Sequence, residues 1–186
     1  MSSSSDLPAT SEPAIVLIPN SEAVAKKIRY AIILLMPKLK IYLDTSVISA
    51  YYDDRQPERM KLTQNFWKQI RNYEIFVSSI VVAEIDKWDD PIRLKLKKLI
   101  KNLNILSVDN KNVIKLTKKY IREKIIPASQ ELDATHIAVA AVSNINTILS
   151  WNFKHMVRKK VKLGVNYINN LLGYDSIEIM TPAEFS

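Results

Sequence analysis

The sequence predicts an α/β fold, a three-layer α/β/α sandwich around a central, mainly parallel sheet of four to five strands. Two observations support this prediction. From Met36 onward, short β-rich runs alternate with helical stretches, a pattern typical of parallel strands whose connecting helices cover both faces of the sheet. The chain has 186 residues, 47% of them hydrophobic. A chain of this length can bury roughly 70% of its unfolded surface without disulfides.

The individual elements follow from local sequence signals. The first β-rich run ends at Asp44, and Pro91 opens a helix whose apolar residues recur on one face. Pro127 ends the predicted helix at 110–126. Ser129 is predicted to cap the helix at 130–143, whose many alanines permit close packing on the sheet. The predicted strands are 39–43, 74–78, 104–108, 147–150 and 176–180, and the predicted helices are 57–72, 79–88, 91–103, 110–126 and 130–143.

The first 35 residues differ from the rest of the chain. Residues 1–20 are rich in Ser and Pro, which predicts a flexible tail. Residues 21–35 are predicted to form one helix that starts at a Ser21 cap, with Glu22 in its first turn. Met36 stands directly before the first strand and is a candidate internal start. We therefore divide the chain into an N-terminal extension, residues 1–35, and a working domain, residues 36–186.

The composition excludes several classes of site. The absence of cysteine excludes disulfide scaffolds, Cys-ligated zinc and thiol nucleophiles. The two glycines, Gly164 and Gly173, are too few for a Walker loop or a dinucleotide fingerprint. No apolar run reaches the roughly 20 residues of a membrane span, and the N-terminus lacks the basic region of a secretion signal. We therefore expect a cytoplasmic protein without a membrane partner.

Acidic residues recur where the predicted strands end. Asp44 ends the first strand, Glu84 lies in the helix after the second, and Asp133 lies in the first turns of the alanine-rich helix. Each has a structural explanation on its own, as a cap, a solvent-facing residue or a charge at a helix N-terminus. Ligands of such sheets bind beyond the carboxyl ends of the strands, where three converging carboxylates would repel unless a cation neutralised them. All-oxygen ligation selects Mg²⁺ or Mn²⁺.

Four motifs resemble those of PIN-domain ribonucleases, the family of VapC-type toxins. They are IYLDTSVIS at 41–49, VVAEI at 81–85, LDATHIA at 132–138 and LSWNFKH at 149–155, and they share the order and approximate spacing of that family. The resemblance implies an α/β/α sandwich that binds Mg²⁺ or Mn²⁺ and cleaves RNA. It also implies metal-binding, catalytic roles for Asp44, Glu84 and Asp133, with the hydroxyl of Thr45 or Ser46 in support.

The fourth acidic position departs from the family pattern. Many members carry a further Asp after the fourth strand, where this chain has Asn152 and His155. Asn152 could supply a carbonyl oxygen to the metal. His155 could supply an imidazole to the metal, or it could only form a hydrogen bond with the backbone. His136, three residues after Asp133, is expected to be a packed or supporting residue. The site therefore has three negative charges rather than four, which is less negative charge than tight binding of a second metal would require.

Positive charge is concentrated in two segments of a chain whose net charge is +8. Residues 93–124 hold eleven Lys or Arg and two acids, and residues 154–162 add five bases and no acid. Ordinary solvation explains much of the pattern at 93–101, where bases oppose the apolar stripe. The residues after the candidate metal loop are predicted to bind RNA phosphates: Lys154, Arg158, Lys159 and Lys160.

These observations favour a metal-dependent endoribonuclease, the toxin of a type II toxin–antitoxin pair. The expected partners are RNA, a cognate antitoxin and a second copy of the chain in a homodimer. The alternative is a catalytically weak PIN-like module for RNA binding or protein interaction. Three other classes fit the sequence less well. Aspartic proteases need a β-rich fold, and haloacid-dehalogenase phosphatases need an Asp at the position of Ser46. A DNA-binding regulator is disfavoured because no helix-turn-helix with a convincing recognition helix is present.

Overall fold

The computed structural model describes residues 21–35 and 37–185. The predicted tail, residues 1–20, and the candidate start at Met36 lie outside the described residues. Helix α1, Ser21–Leu35, forms where the sequence predicts it, with Glu22 in its first turn. The chain divides into two compact units between Pro37 and Lys38, and α1 belongs to the first. The role of residues 1–35 as an upstream extension stays a prediction.

The second unit alternates strands and helices as predicted. Its strands are β1 (Lys40–Leu43), β2 (Glu74–Ser78), β3 (Asn104–Leu106), β4 (Thr147–Leu149) and β5 (Glu178–Met180). Its helices are α2 (Thr45–Ala50), α3 (Pro57–Lys68), α4 (Ser79–Ile85), α5 (Ile92–Ile100), α6 (Lys111–Arg122), α7 (Glu131–Val142), α8 (Lys159–Leu171) and α9 (Pro182–Phe185). Within the described residues, no helix is long and apolar enough to span a membrane.

The structure adds three helices that the sequence analysis did not predict, namely α2, α8 and α9. Helix α8 carries the apolar spacing of an amphipathic helix, because Val161, Val165 and Ile168 are buried on one face. The predicted Ser129 cap is wrong, since Ser129 lies in a 3-10 turn at Ala128–Gln130 and no side chain caps α7.

The strands form one parallel sheet in the order β3-β2-β1-β4-β5. The register places Tyr42 beside Phe76 of β2 and Ile148 of β4. From β1 the chain builds outward through β2 and β3 on one side and through β4 and β5 on the other. The strand order therefore reverses between β1 and β4, and in open α/β sheets ligands bind beyond the carboxyl ends of the strands at such a point.

Two apolar clusters cover the two faces of the sheet, which confirms the three-layer sandwich. Alternate residues of β1 point to opposite faces. Ile41 and Leu43 join the cluster with α2, α3, α4 and α5, whereas Tyr42 joins the cluster with α6, α7 and α8. The helices that carry the candidate acids thus lie in different layers, and the carboxyl ends of the strands bring them together.

Candidate active site

Asp44 begins the site at the carboxyl end of β1. It is the N-cap of α2, and its Oδ1 accepts hydrogen bonds from the backbone N–H of Ser46 (2.9 Å) and of Val47 (3.2 Å). The Ser46 hydroxyl also donates to Oδ1, and the Ser150 hydroxyl donates to Oδ2 at 2.6 Å. The carboxylate is almost fully buried. A carboxylate oxygen has two lone pairs, so Oδ2 keeps one for a further ligand.

Glu84 is held by polar groups from the two helical layers. The Thr45 hydroxyl donates to Glu84 Oε2, and the His136 Nε2 atom lies 3.5 Å from the same oxygen. Partial burial alone would raise the pKa of Glu84, but the interactions with His136 and Thr45 together hold it below its usual value. Glu84 therefore stays ionised, and its carboxylate is oriented from one side.

Behind Glu84, a buried hydrogen-bond chain orients His136. The Tyr42 hydroxyl lies 2.6 Å from His136 Nδ1 and 2.7 Å from the Ser78 hydroxyl. Burial raises the pKa of Tyr42, with smaller contributions from the charges of Asp44 and Glu84, so Tyr42 remains a neutral hydroxyl. His136 is thus the supporting residue that the sequence analysis expected.

Asp133 completes the set of carboxylates from the start of α7. Its Oδ1 accepts a hydrogen bond from Asn152 Nδ2 at 3.1 Å. Burial raises the pKa of Asp133, and the charges of Asp44 and Glu84 raise it further, while His136 and His155 oppose them. Contacts of neighbouring residues place the three predicted acids at the same end of the sheet. Thr45, next to Asp44, donates to Glu84, and His136, one helical turn after Asp133, lies 3.5 Å from Glu84 Oε2.

Asn152 faces this site with its amide nitrogen. Its Oδ1 accepts the backbone N–H of His155 at 3.0 Å, which fixes which end of the amide is oxygen and leaves Nδ2 for Asp133. The side chain that replaces the fourth acid of the family pattern is therefore a hydrogen-bond donor to Asp133. The backbone N–H of Asn152 also donates to the Ser150 hydroxyl, at 2.9 Å, so the loop after β4 is tied to Asp44 as well.

The chemistry of these side chains fits a hard divalent cation. Three carboxylates that repel one another offer anionic oxygens, the ligands that Mg²⁺ and Mn²⁺ prefer. In the part of the chain that the structure describes, no three His, Asp or Glu side chains form a ready-made metal cage. Mg²⁺ commonly keeps several water ligands and binds one or two protein carboxylates. Asp44, Glu84 and Asp133 would hold it together, some of them through its water ligands.

A cavity of about 830 Å³, which we call the basic cavity, is lined in part by His155, whose backbone N–H donates to the Asn152 side chain that binds Asp133. The four residues that the sequence analysis assigned to RNA binding all line it. They are joined there by His155 and by Lys124 from the segment after α6. The basic cavity is lined by these cationic residues: Lys124, Lys154, Arg158, Lys159 and Lys160. Among the residues that the structure describes, no carboxylate lines it.

The sequence analysis missed Ser150, Tyr42 and Lys124. Ser150 and Asp44 are 106 residues apart in the chain, and Tyr42 and His136 are 94 apart. Only the parallel pairing of β1 with β4, and the packing of α7 on the sheet, brings these pairs together. A hydroxyl at the last position of a predicted strand was the available signal for Ser150.

The chain was compared with protein families and with solved structures. The model of the PIN domain family matches residues 41–152. Among solved structures, the chain is similar to VapC20 of Mycobacterium tuberculosis, a toxin that cleaves the sarcin-ricin loop, with a TM-score of 0.46 and 14% identity. That match covers 61% of this chain and 91% of the toxin chain. The curated proteins contain no significant match. Since the family model matches more than half of the chain, the chain belongs to the PIN domain family.

Proposed function

We propose that this PIN-domain protein is a metal-dependent endoribonuclease that hydrolyses RNA phosphodiester bonds. The observation that carries this proposal is the juxtaposition at one end of the sheet. Asp44, Glu84 and Asp133 lie at this end, and Asp133 is linked through Asn152 and His155 to the basic cavity, whose described lining holds five cations and no acid. The acidic part suits a divalent cation and the basic part suits a polyanion.

Each residue of the site has a defined task in this proposal. Asp44 is immobilised by donors on both of its oxygens, and Thr45 and His136 orient Glu84. Asn152 fixes Asp133 from the loop after β4. Bound Mg²⁺ or Mn²⁺ would lower the pKa of a water molecule and stabilise the charge that develops on the phosphate. The residues of the basic cavity would hold the RNA strand beside these carboxylates.

The finer parts of the proposal follow from the resemblance to VapC-type members of the family. They are the role of a toxin in a type II toxin–antitoxin pair, a cognate antitoxin, a homodimeric assembly and a cytoplasmic location. The second candidate function is a PIN-like binding module. It is favoured by the amide of Asn152, which leaves the site one negative charge short of the common family pattern.

RNA cleavage by the purified full-length chain separates these two functions. We expect cleavage of total RNA with Mn²⁺, none with chelator, and a loss of roughly 100-fold or more in Asp44→Asn and Asp133→Asn. Asp109→Asn, a change of an exposed carboxylate outside the site, is the matched control and should cleave normally. Cleavage that survives either site substitution would refute the mechanism, and RNA binding without cleavage in any metal would support the binding module.

A further inference from the structure

The three most exposed large apolar side chains among the described residues all belong to α8. Leu163 is 62% exposed, Tyr167 69% and Leu171 61%. They follow one another at a spacing of four residues, which places them along one side of the helix. Single apolar residues at a surface need no explanation, whereas a row of three on one helix marks an interaction surface. We call this row the α8 stripe.

The α8 stripe is distinct from the face that holds α8 in the fold. Val161, Val165 and Ile168 are buried in the apolar cluster that α8 shares with α6 and α7. Since each residue of a helix turns by about 100°, the stripe is centred about 130° around the helix from these buried residues. Helix α8 is therefore apolar on two sides, and the second side faces outward. Apolar residues on both sides are typical of a helix that is buried from both sides.

The two ends of the α8 stripe carry opposite charges. Lys159 lies four residues before Leu163, in the first turn of α8. Asp175 lies four residues after Leu171 and is exposed. Its backbone carbonyl accepts a hydrogen bond from Asn169 Nδ2 at 3.3 Å, which holds it beside the last turns of α8. At intervals of four residues the order is thus Lys, Leu, Tyr, Leu and Asp.

This order is complementary to itself under a two-fold axis. In an antiparallel pair of α8 helices centred on Tyr167, the Tyr167 side chains of the two copies meet, and Leu163 lies opposite Leu171 of the other copy. The same pairing brings Lys159 of each copy beside Asp175 of the other. An interface between identical copies requires such an order, because the same patch meets itself reversed. An anionic membrane would instead be repelled by Asp175.

We propose that the α8 stripe is the surface through which two copies of this chain form a dimer, with their α8 helices antiparallel. The apolar side chains form the centre of the interface, and the Lys159–Asp175 pairs fix its direction. Because Lys159 also lines the basic cavity, the interface adjoins the proposed RNA surface. The inference rests on the homodimeric assembly proposed above and supplies its surface. Assembly is measured without RNA, so this inference and the nuclease activity can fail separately.

Disulfide cross-linking tests the antiparallel arrangement, because the chain has no cysteine of its own. Under mild oxidation with oxidised glutathione, Tyr167→Cys should form a symmetric disulfide dimer. Leu163→Cys alone should not, because its two copies would lie about 12 Å apart along the paired helices, beyond the reach of a disulfide. A mixture of Leu163→Cys and isotope-labelled Leu171→Cys should cross-link between unlike copies, as measured by mass spectrometry.

Sedimentation of the full-length chain tests the same surface without an oxidant. The wild type should be a dimer, and Tyr167→Glu should raise its dissociation constant roughly 30-fold or more, since both copies change at the axis. Asp175→Lys should weaken the dimer, and adding Lys159→Glu should restore it. Leu94→Ser changes another exposed apolar side chain, on α5 in the opposite layer, and is the matched control that should stay dimeric. Far-UV circular dichroism verifies that each variant is folded.

The outcomes separate the surface from the assembly. A wild-type monomer at high micromolar concentration would overturn both this inference and the homodimeric assembly. A dimer that persists in Tyr167→Glu, or equal self-cross-linking of Leu163→Cys and Tyr167→Cys, would overturn the α8 interface alone. So would the absence of recovery when Lys159→Glu is added to Asp175→Lys. Binding of a monomer to anionic phospholipid vesicles, abolished by Tyr167→Glu, would assign the stripe to a membrane surface instead.

Discussion

The environment of Asp133 disfavours its ionised form in the absence of a cation. It is half-buried, and its pKa is raised first by that burial and then by the charges of Asp44 and Glu84. Asn152 supplies a compensating hydrogen bond at 3.1 Å, yet it adds no charge. The folded protein therefore destabilises the ionised form of a residue that a divalent cation would stabilise.

Replacing Asp133 by Asn should stabilise the protein in chelator. A carboxyl group whose folded pKa lies above its unfolded value contributes stability at low pH that is lost as the pH rises through the folded pKa. Asp133→Asn removes this loss of stability, because the amide does not ionise. It also keeps a side-chain oxygen that can accept the hydrogen bond from Asn152. We expect a gain of about 0.5–2 kcal/mol in the free energy of unfolding at neutral pH, measured by urea denaturation. A loss of stability at neutral pH would contradict this account of the site.

The Thr45 hydroxyl should help to set the pKa of Glu84. Thr45→Val removes the donor to Glu84 Oε2, whereas Thr45→Ser keeps it. The lowered pKa of Glu84 gives stability that is present above its unfolded pKa and lost as the pH falls through its folded pKa. We expect the pKa of Glu84, followed by NMR of its side-chain carboxyl, to rise in Thr45→Val and to stay low in Thr45→Ser. Equal values in the two variants would exclude this role for Thr45.

At the scale of elements, α8 couples the basic cavity to the core. Its buried face packs on the sheet through Val161, Val165 and Ile168, while its first turn carries Lys159 and Lys160. Gly164 lies between these parts, where α8 meets Ile125. The position of the lysines therefore depends on a close backbone approach in the middle of the helix.

Gly164→Ala should destabilise the protein although alanine is the better helix former. The helix propensity of alanine favours the change by roughly 1 kcal/mol, but its Cβ would lie 2.7 and 2.8 Å from two atoms of Ile125. Overpacking of this kind typically costs about 1–3 kcal/mol, so the steric clash should outweigh the propensity. Thermal unfolding should show a lower Tm for Gly164→Ala and recovery in the double variant with Ile125→Ala. A higher Tm in the single variant would show that Ile125 moves aside freely.

At the scale of the whole molecule, the positive charge is divided between the two helical layers. Helix α5, with the bases at 93–101, packs on the face that also carries α2, α3 and α4, whereas α6 and α8 lie on the opposite face. The basic stretch 93–124 is therefore not one surface. The bases that meet in the basic cavity come from the segment after α6 and from residues 154–160.

Residues 36–186 should fold without the N-terminal extension. Among the described residues, both core clusters begin at Ile41 or Tyr42, and the boundary between the two compact units lies directly before Lys38. A chain shortened to begin at Met36 should keep the far-UV circular dichroism of the sheet-containing unit and its Tm to within a few degrees. Insoluble expression of the short chain alone would show that residues 1–35 are structural.

The sequence predicts those features of the molecule that depend on local patterns. Strand β2 forms at the predicted residues, and Asp44, Glu84 and Asp133 come together because strand ends are recognisable and parallel strands share one edge. Long-range partners have no such local signal. The Tyr42 hydroxyl finds Ser78 and His136 at separations of 36 and 94 residues, and only the register of the sheet and the packing of α7 determine them.

The orientation of the Asn152 side-chain amide could likewise not be predicted from the sequence. An amide can turn either its oxygen or its nitrogen toward the candidate metal site. From the residue type alone, the Asn152 oxygen could therefore have been a metal ligand. The backbone N–H of His155 occupies the oxygen, so the nitrogen faces Asp133. A turn in the loop after β4 thus decides the chemistry of the fourth position.

The most direct test of the central claim is the fate of solvent oxygen during RNA cleavage. If water attacks the phosphate at the carboxylates of Asp44, Glu84 and Asp133, cleavage with Mn²⁺ in oxygen-18 water should leave linear terminal phosphates that carry a single solvent oxygen. Mass spectrometry of the products from wild type and Asp44→Asn measures this. Labelled linear phosphates formed by the wild type, and absent with chelator or Asp44→Asn, are the predicted result. Unlabelled 2′,3′-cyclic phosphates, or labelled products from Asp44→Asn at the wild-type rate, would contradict it.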